Sequence, residues 1–160
     1  MALIVETGTG IVGANSYVSV AGADAYFADR NELNWAGANA TAADKEGFLI
    51  RAADFLNSFY MWRGEPFSYD QSMALPTLAF DGVPIPVRHA QIILAKQAVA
   101  GPLFSALGER LVTSIREKLE GVGESETQYE RTNADEFGNV GSVVAAMLRP
   151  FTVLSGGIQT

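Results

Sequence analysis

Stretches whose apolar residues recur at helical spacing alternate along this chain with stretches broken by glycine and proline. After Ser19, a suitable N-cap, Val20, Ala23 and Phe27 with Ala21, Ala25 and Ala28 predict a first helix reaching Arg30. Thr41 followed three residues later by Asp44 approximates a capping box and opens a second helix. There Phe48, Ala52, Phe55 and Phe59 interleave with Leu49, Ala53, Leu56 and Tyr60, a broad apolar face running to about Trp62. Pro86 suits the first turn of a third helix, where its missing N–H has no partner to lose. Val87, Ala90, Ile93, Leu94 and Ala98 face inward from it until Gly101-Pro102 ends it, and Leu103, Phe104 and Leu107 can add one more turn. Val140, Val143, Val144, Met147 and Leu148 recur at the same spacing up to Pro150.

The intervening segments read differently. Residues 2 to 5 are apolar and run into Gly8, Gly10 and Gly13, which predicts an extended, flexible arm. From Arg63 to Pro86 the repeated glycines and prolines forbid a long regular element. Arg110 to Tyr129 fits either a helix or period two; its early Thr, Val and Ile, and Gly121 with Gly123, favour a solvated β-hairpin. The fold expected is therefore mainly α, a small helical bundle of three to four helices with a β-hairpin excursion and extended N- and C-terminal arms. Residues 1–18 are the N-terminal arm. Residues 19–150 are the helical domain with an acidic hairpin at about 110–131, and 151–160 are the C-terminal tail.

Composition narrows the chemistry. The chain has 160 residues, a length suited to one domain, and no cysteine, which excludes disulfides, thiolate metal sites and a cysteine nucleophile. His89 is its one histidine, so a multi-histidine site within one chain is excluded as well. Eleven Lys and Arg stand against 18 Asp and Glu, a formal charge of −7, which argues against gripping duplex phosphates. Eight of those acids and four of the bases lie between Glu109 and Glu136, so the acidity is concentrated there. The first residues lack the pattern of a secretory signal and no span is apolar enough to cross a bilayer, so a cytoplasmic origin and no membrane partner are expected.

Four groupings invite a chemical reading. Gly8-Thr9-Gly10-Ile11-Val12-Gly13 matches G-x-G-x-x-G, but a dinucleotide site needs those glycines to open a helix, and the next helix starts only after Ser19. His89 follows Arg88 and could act as a base; with no serine in a nucleophile elbow, a helix-surface or subunit-contact histidine is the better reading. Glu117, Glu120, Glu124, Glu126 and Glu130 match no calcium loop and read as a solvated surface. Trp35, Trp62, Phe67, Tyr69 and Phe80 could stack bases, yet only Arg51, Arg63 and Arg88 stand near them in sequence, so core and subunit contacts are the default. No catalytic, cofactor-binding or metal-binding residue is assigned. The tail residues Phe151, Val153, Leu154 and Ile158 are partner-contact candidates, as an apolar segment that orders against another protein.

Several stretches together resemble one family. They are Met1-Ala2-Leu3-Ile4-Val5-Glu6 with Gly8, Gly10 and Gly13, then Ala14-Asn15-Ser16-Tyr17-Val18-Ser19 and Ala23-Asp24-Ala25-Tyr26-Phe27. Leu49-Ile50-Arg51-Ala52 with Phe55-Leu56, Trp62-Arg63-Gly64-Glu65, Gly82-Val83-Pro84-Ile85-Pro86, Leu94-Ala95 and Gly101-Pro102-Leu103 continue the likeness. Taken in order, they resemble a family of small tailed-phage proteins labelled DnaT-like single-stranded-DNA-binding proteins and related to head–tail connector adaptors. That resemblance implies a structural connector and not an enzyme. It implies a dodecameric ring between the portal and the next neck, stopper or tail-terminator protein, with DNA passing through without specific binding and no cofactor. It places the protein in the virion neck, assembled in a bacterial cytoplasm. The family label itself supplies the alternative, a single-stranded-DNA-binding protein.

Overall fold

The structure is a computed structural model and describes residues 2–104 and 133–153. Four helices occur among them: α1 Val20–Ala28, α2 Ala42–Phe59, α3 Ile85–Ala100 and α4 Asn133–Leu148. The helix α3 is central, packed against α2 on one side and α4 on the other, while α1 packs on α2. The mainly helical expectation holds. The expected β-hairpin at about 110–131 lies outside the described residues, and those described contain three isolated bridges and no strand.

Local signals account for the helix ends. Ser19 Oγ accepts the Gly22 N–H at 3.1 Å and starts α1, which stops at Ala28, two residues short of Arg30, as Asn31 turns to φ 58°. The capping box of α2 is complete: Thr41 Oγ1 accepts the Asp44 N–H, and the Asp44 carboxylate accepts the Thr41 N–H. The second helix buries Leu49, Ala52, Ala53, Phe55 and Leu56, the expected stripe. Pro86 lies in the first turn of α3, and Gly101 ends that helix ahead of Pro102. Val144 and Leu148, on one side of α4, are fully buried.

Both ends of the described chain are held more tightly than free arms. Residues 4–16 form a loop that closes on itself, with the Glu6 N–H donating to Ser16 O at 2.8 Å and the Asn15 N–H to Ile4 O at 2.9 Å. Ala14, Tyr17 and Val18 then enter the core. Gly8 passes close to Gly82; a Cβ at Gly8 would lie 2.9 Å from the Gly82 Cα. At the other end, the Arg63 N–H donates to Phe151 O at 3.0 Å and the Val153 N–H to Met61 O at 2.8 Å, so the start of the tail pairs with the chain leaving α2.

One buried polar residue ties these pieces together. Gln91 on α3 has no exposed surface, and its Oε1 accepts the Tyr17 N–H at 2.9 Å. Its Nε2 donates to Ser16 Oγ at 2.7 Å and to the Leu49 carbonyl of α2 at 2.9 Å. The Tyr17 hydroxyl donates to Asn57 on α2 and accepts the Leu75 N–H at 3.2 Å, and burial pushes its pKa far above the ordinary tyrosine value. An amide of this kind is costly to remove, because each orphaned buried partner loses about 1–3 kcal/mol of solvation it cannot recover. Gln91→Leu, close in size, is expected to lower unfolding stability by about 2–4 kcal/mol in a denaturant titration. A loss below about 0.5 kcal/mol, the range of an ordinary surface change, contradicts the role given to this amide.

Candidate nucleic-acid interface

The glycine loop folds as an anion nest, and its anion is its own. Gly13, at φ 81°, donates its N–H to Ser72 Oγ at 2.7 Å, while Gly8 and Gly10 have positive φ, at 107° and 74°, which turns the N–H groups of residues 8–11 toward one point. Glu6 lies there, 1% exposed. Its Oε1 accepts from Gly8 at 2.8 Å, Thr9 at 2.8 Å and Gly10 at 3.0 Å, and its Oε2 accepts from Ile11 at 2.6 Å. A pyrophosphate would have to displace this carboxylate, and no helix starts at the glycines, since α1 begins only at Val20. The sequence carried the signal in Glu6, two residues before the first glycine.

The aromatic set does not assemble into one platform. Trp35 is a core residue, stacked on Phe27 with ring centres 5.2 Å apart and its Nε1–H donating to Asp24 at 2.7 Å. Phe67 and Tyr69 are exposed, whereas Trp62 and Phe80 are half-buried. Phe80 meets Phe151 edge-on at 5.5 Å. Of the partner-contact candidates, Phe151 is thus half-buried against Phe80 and Val153 is exposed, while Leu154 and Ile158 lie outside the described residues. The acidic run from Glu117 to Glu130 lies outside them too.

Cations and an aromatic ring converge elsewhere, between α1 and α3. Tyr26 and Arg30 are one turn apart on and just beyond α1; the Arg30 guanidinium carbon sits 3.5 Å from the Tyr26 ring centre, and its Nη1 donates to the Tyr26 carbonyl at 2.8 Å. From α3, the His89 ring approaches Tyr26 at 4.8 Å. Arg88, on the preceding position, completes a crevice of about 530 Å³ walled by Val5, Val18, Ile85 and Ile92. Asp29 is the one carboxylate among its lining residues.

Two electrical features mark this crevice. The Arg88 Nε is buried and has no hydrogen-bond partner among the described residues, an unusual state for a charged donor. Burial, and then the nearby Arg30 charge, hold the His89 pKa below the ordinary histidine value, so the ring is neutral near pH 7. Sequence reasoning took His89 for a surface or subunit-contact residue and missed Tyr26 and Arg30. Their four-residue spacing was readable, but their approach to residues about 60 positions later depends on tertiary structure.

A mainly helical protein with a cation-and-aromatic crevice is the class these features define. The whole chain, residues 1–160, matches the family described as "Putative DnaT-like ssDNA binding protein", and the chain belongs to that family. Searches of curated proteins and of solved structures return no match. The family match bears out the DnaT-like half of the resemblance and overturns its connector half. The description names single-stranded-DNA binding and no head–tail role, so the structural adaptor gives way to the alternative. The ring, the portal and neck partners and the virion location entered only through that role.

Glu6→Ala leaves four N–H donors of the nest without their acceptor and is expected to destabilise the fold by about 2–4 kcal/mol in the same titration. A nicotinamide dinucleotide added to the unaltered protein is expected to give no saturable signal in calorimetry. Saturable binding that Glu6→Ala strengthens would show the nest to be open to phosphate.

Proposed function

We propose that this protein binds single-stranded DNA, without acting on it as an enzyme, and that the α1/α3 crevice is where the strand is held. The observation that carries the reading is the convergence of Tyr26, Arg30, Arg88 and His89 on one concave surface, in a chain of this family. Strands without a partner expose both phosphates and base faces, and proteins hold them with cations beside flat groups on which bases stack. Arg30 serves both ends: it carries charge, and its exposed side away from Tyr26 offers a plane to a base. The Arg88 guanidinium, which lines the crevice, suits a phosphate oxygen.

The overall charge of −7 fits a single strand better than a duplex. A duplex requires a wide cationic footprint, whereas a flexible strand can thread a few phosphates into a local positive crevice and leave the acidic remainder of the surface outside it. The Debye length near physiological salt, about 8 Å, confines the repulsion from that remainder to its neighbourhood.

Fluorescence anisotropy with a labelled oligothymidylate at low salt tests the reading. Arg30→Ala and Arg88→Ala are each expected to weaken binding about tenfold, the loss of one charged hydrogen bond or stack. Raising salt from about 50 to about 200 mM should weaken it roughly 20-fold if three phosphates are engaged. No anisotropy change at micromolar protein, or unchanged affinity in the double variant, overturns the proposal.

The pH dependence has a defined sign. A phosphate beside His89 favours the imidazolium that burial and Arg30 disfavour in the free protein, so binding takes up a proton. Affinity should therefore rise as pH falls from about 8 to about 6. His89→Gln should flatten that dependence, and a variant that keeps the full slope assigns the titration to another group.

A further inference from the structure

A second depression adjoins the crevice and shares a wall with it. It is a groove of about 560 Å³ between α1, α3 and α4, and Tyr26 and Arg30 line both. Beyond them its surface is apolar, from Phe27, Ile93, Ala100, Val140 and Val143, with Val143 51% exposed. Its polar groups are the Gln97 amide and the Lys96–Glu32 ion pair. The groove exists because α1 packs on α2 while α4 packs on α3, leaving α1 and α4 to face each other across α3.

We propose that this groove receives one unstacked nucleobase of the strand whose phosphate lies in the adjoining crevice. The inference rests on the single-stranded-DNA reading and adds a second subsite to it. Three features carry it. Continuity comes first: a single ridge, Tyr26 with Arg30, separates a cationic crevice from an apolar groove, which is the order of parts in a nucleotide, anionic phosphate and then flat base. The groove's volume lies in the ordinary range for small-ligand sites, and its walls are mostly apolar with few polar groups, the composition that takes a flat heterocycle. Gln97 offers a donor and an acceptor from one amide, the pair needed to meet the hydrogen-bonding edge of a base. A duplex cannot supply such a base without opening, so the groove gives the protein a means of preferring single strands.

The test compares a base-bearing oligonucleotide with an abasic one of the same length, each labelled and titrated with the full chain. The unaltered protein should bind the base-bearing strand at least about fivefold more tightly, the gain expected from one well-stacked base. Val143→Trp, which fills the groove, should remove that preference while leaving affinity for the abasic strand unchanged. Arg88→Ala should weaken both strands together. Should circular dichroism show that tryptophan disturbs α4, Gln97→Ala gives an independent reading: the ranking among homopolymers should collapse while abasic binding stays. A preference that survives both substitutions overturns the base subsite but leaves the crevice proposal standing. Failure of the unaltered protein to bind either strand overturns both. Concentration-dependent self-association abolished by Val143→Trp, seen by sedimentation with no change in strand preference, would assign the groove to a second copy of the chain instead.

Discussion

The Gln91 amide is the constraint on which the arrangement of this protein depends. Helix α3 carries it in the middle of an otherwise apolar face, between Val87, Ala90, Leu94 and Ala95, where an unpaired amide would be strongly unfavourable. It is acceptable there because three other groups are brought to it: the Ser16 hydroxyl, the Tyr17 N–H and the Leu49 carbonyl. Those groups belong to the N-terminal loop and to α2. Hydrophobic packing alone would allow α2 and α3 to slide by a residue at modest expense, whereas the amide has one position in which all three bonds close.

The same logic of internal satisfaction explains the glycine loop. Left-handed glycines point several N–H groups inward, and such a concavity needs an anion. The chain provides Glu6, so the loop becomes rigid and can carry Ser16 and Tyr17 to Gln91. A motif that in another setting would receive a cofactor's phosphates is here part of the core. Asp24 works in a similar way on a smaller scale. Burial raises its pKa, but hydrogen bonds from Lys45 and Trp35 outweigh that and keep the carboxylate ionised where α1 meets α2.

The crevice departs from this pattern of satisfied groups, as does the buried Trp62 Nε1–H, which also has no partner among the described residues. Around Arg88 and His89 the structure leaves a buried donor without an acceptor among the described residues and a histidine whose pKa is held below the ordinary value, while Arg30 is steadied on Tyr26 with its outer side open. Ion pairs are formed by Lys45 with Asp24 and by Lys96 with Glu32. A protein of net charge −7 that nevertheless lines one crevice with two arginines beside an aromatic ring is electrically uneven. That unevenness matters more for binding a strand than the total charge does.

Helices were the most legible part of this chain, since a capping box at Thr41, an N-cap at Ser19 and Pro86 ahead of an apolar stripe are interactions within a few residues of one another. Composition likewise settled the absence of cysteine chemistry. The glycine motif was seen but its occupant was not, because a carboxylate in the preceding residues reads as an ordinary surface acid until the loop closes around it. The tail beginning at Phe151 read as free because its pairing partner near Trp62 is about 90 residues earlier. The crevice was the least legible of all: Tyr26 and Arg30 come from one end of the chain's core and Arg88 and His89 from another. The sequence by itself determined which segments are helical and which apolar faces they bury, since those depend on local spacing. Only the tertiary structure decided which polar groups meet, which are satisfied, and where a cationic surface forms on an acidic protein, because Coulomb and hydrogen-bond energies depend on distances in space that residue numbers do not contain.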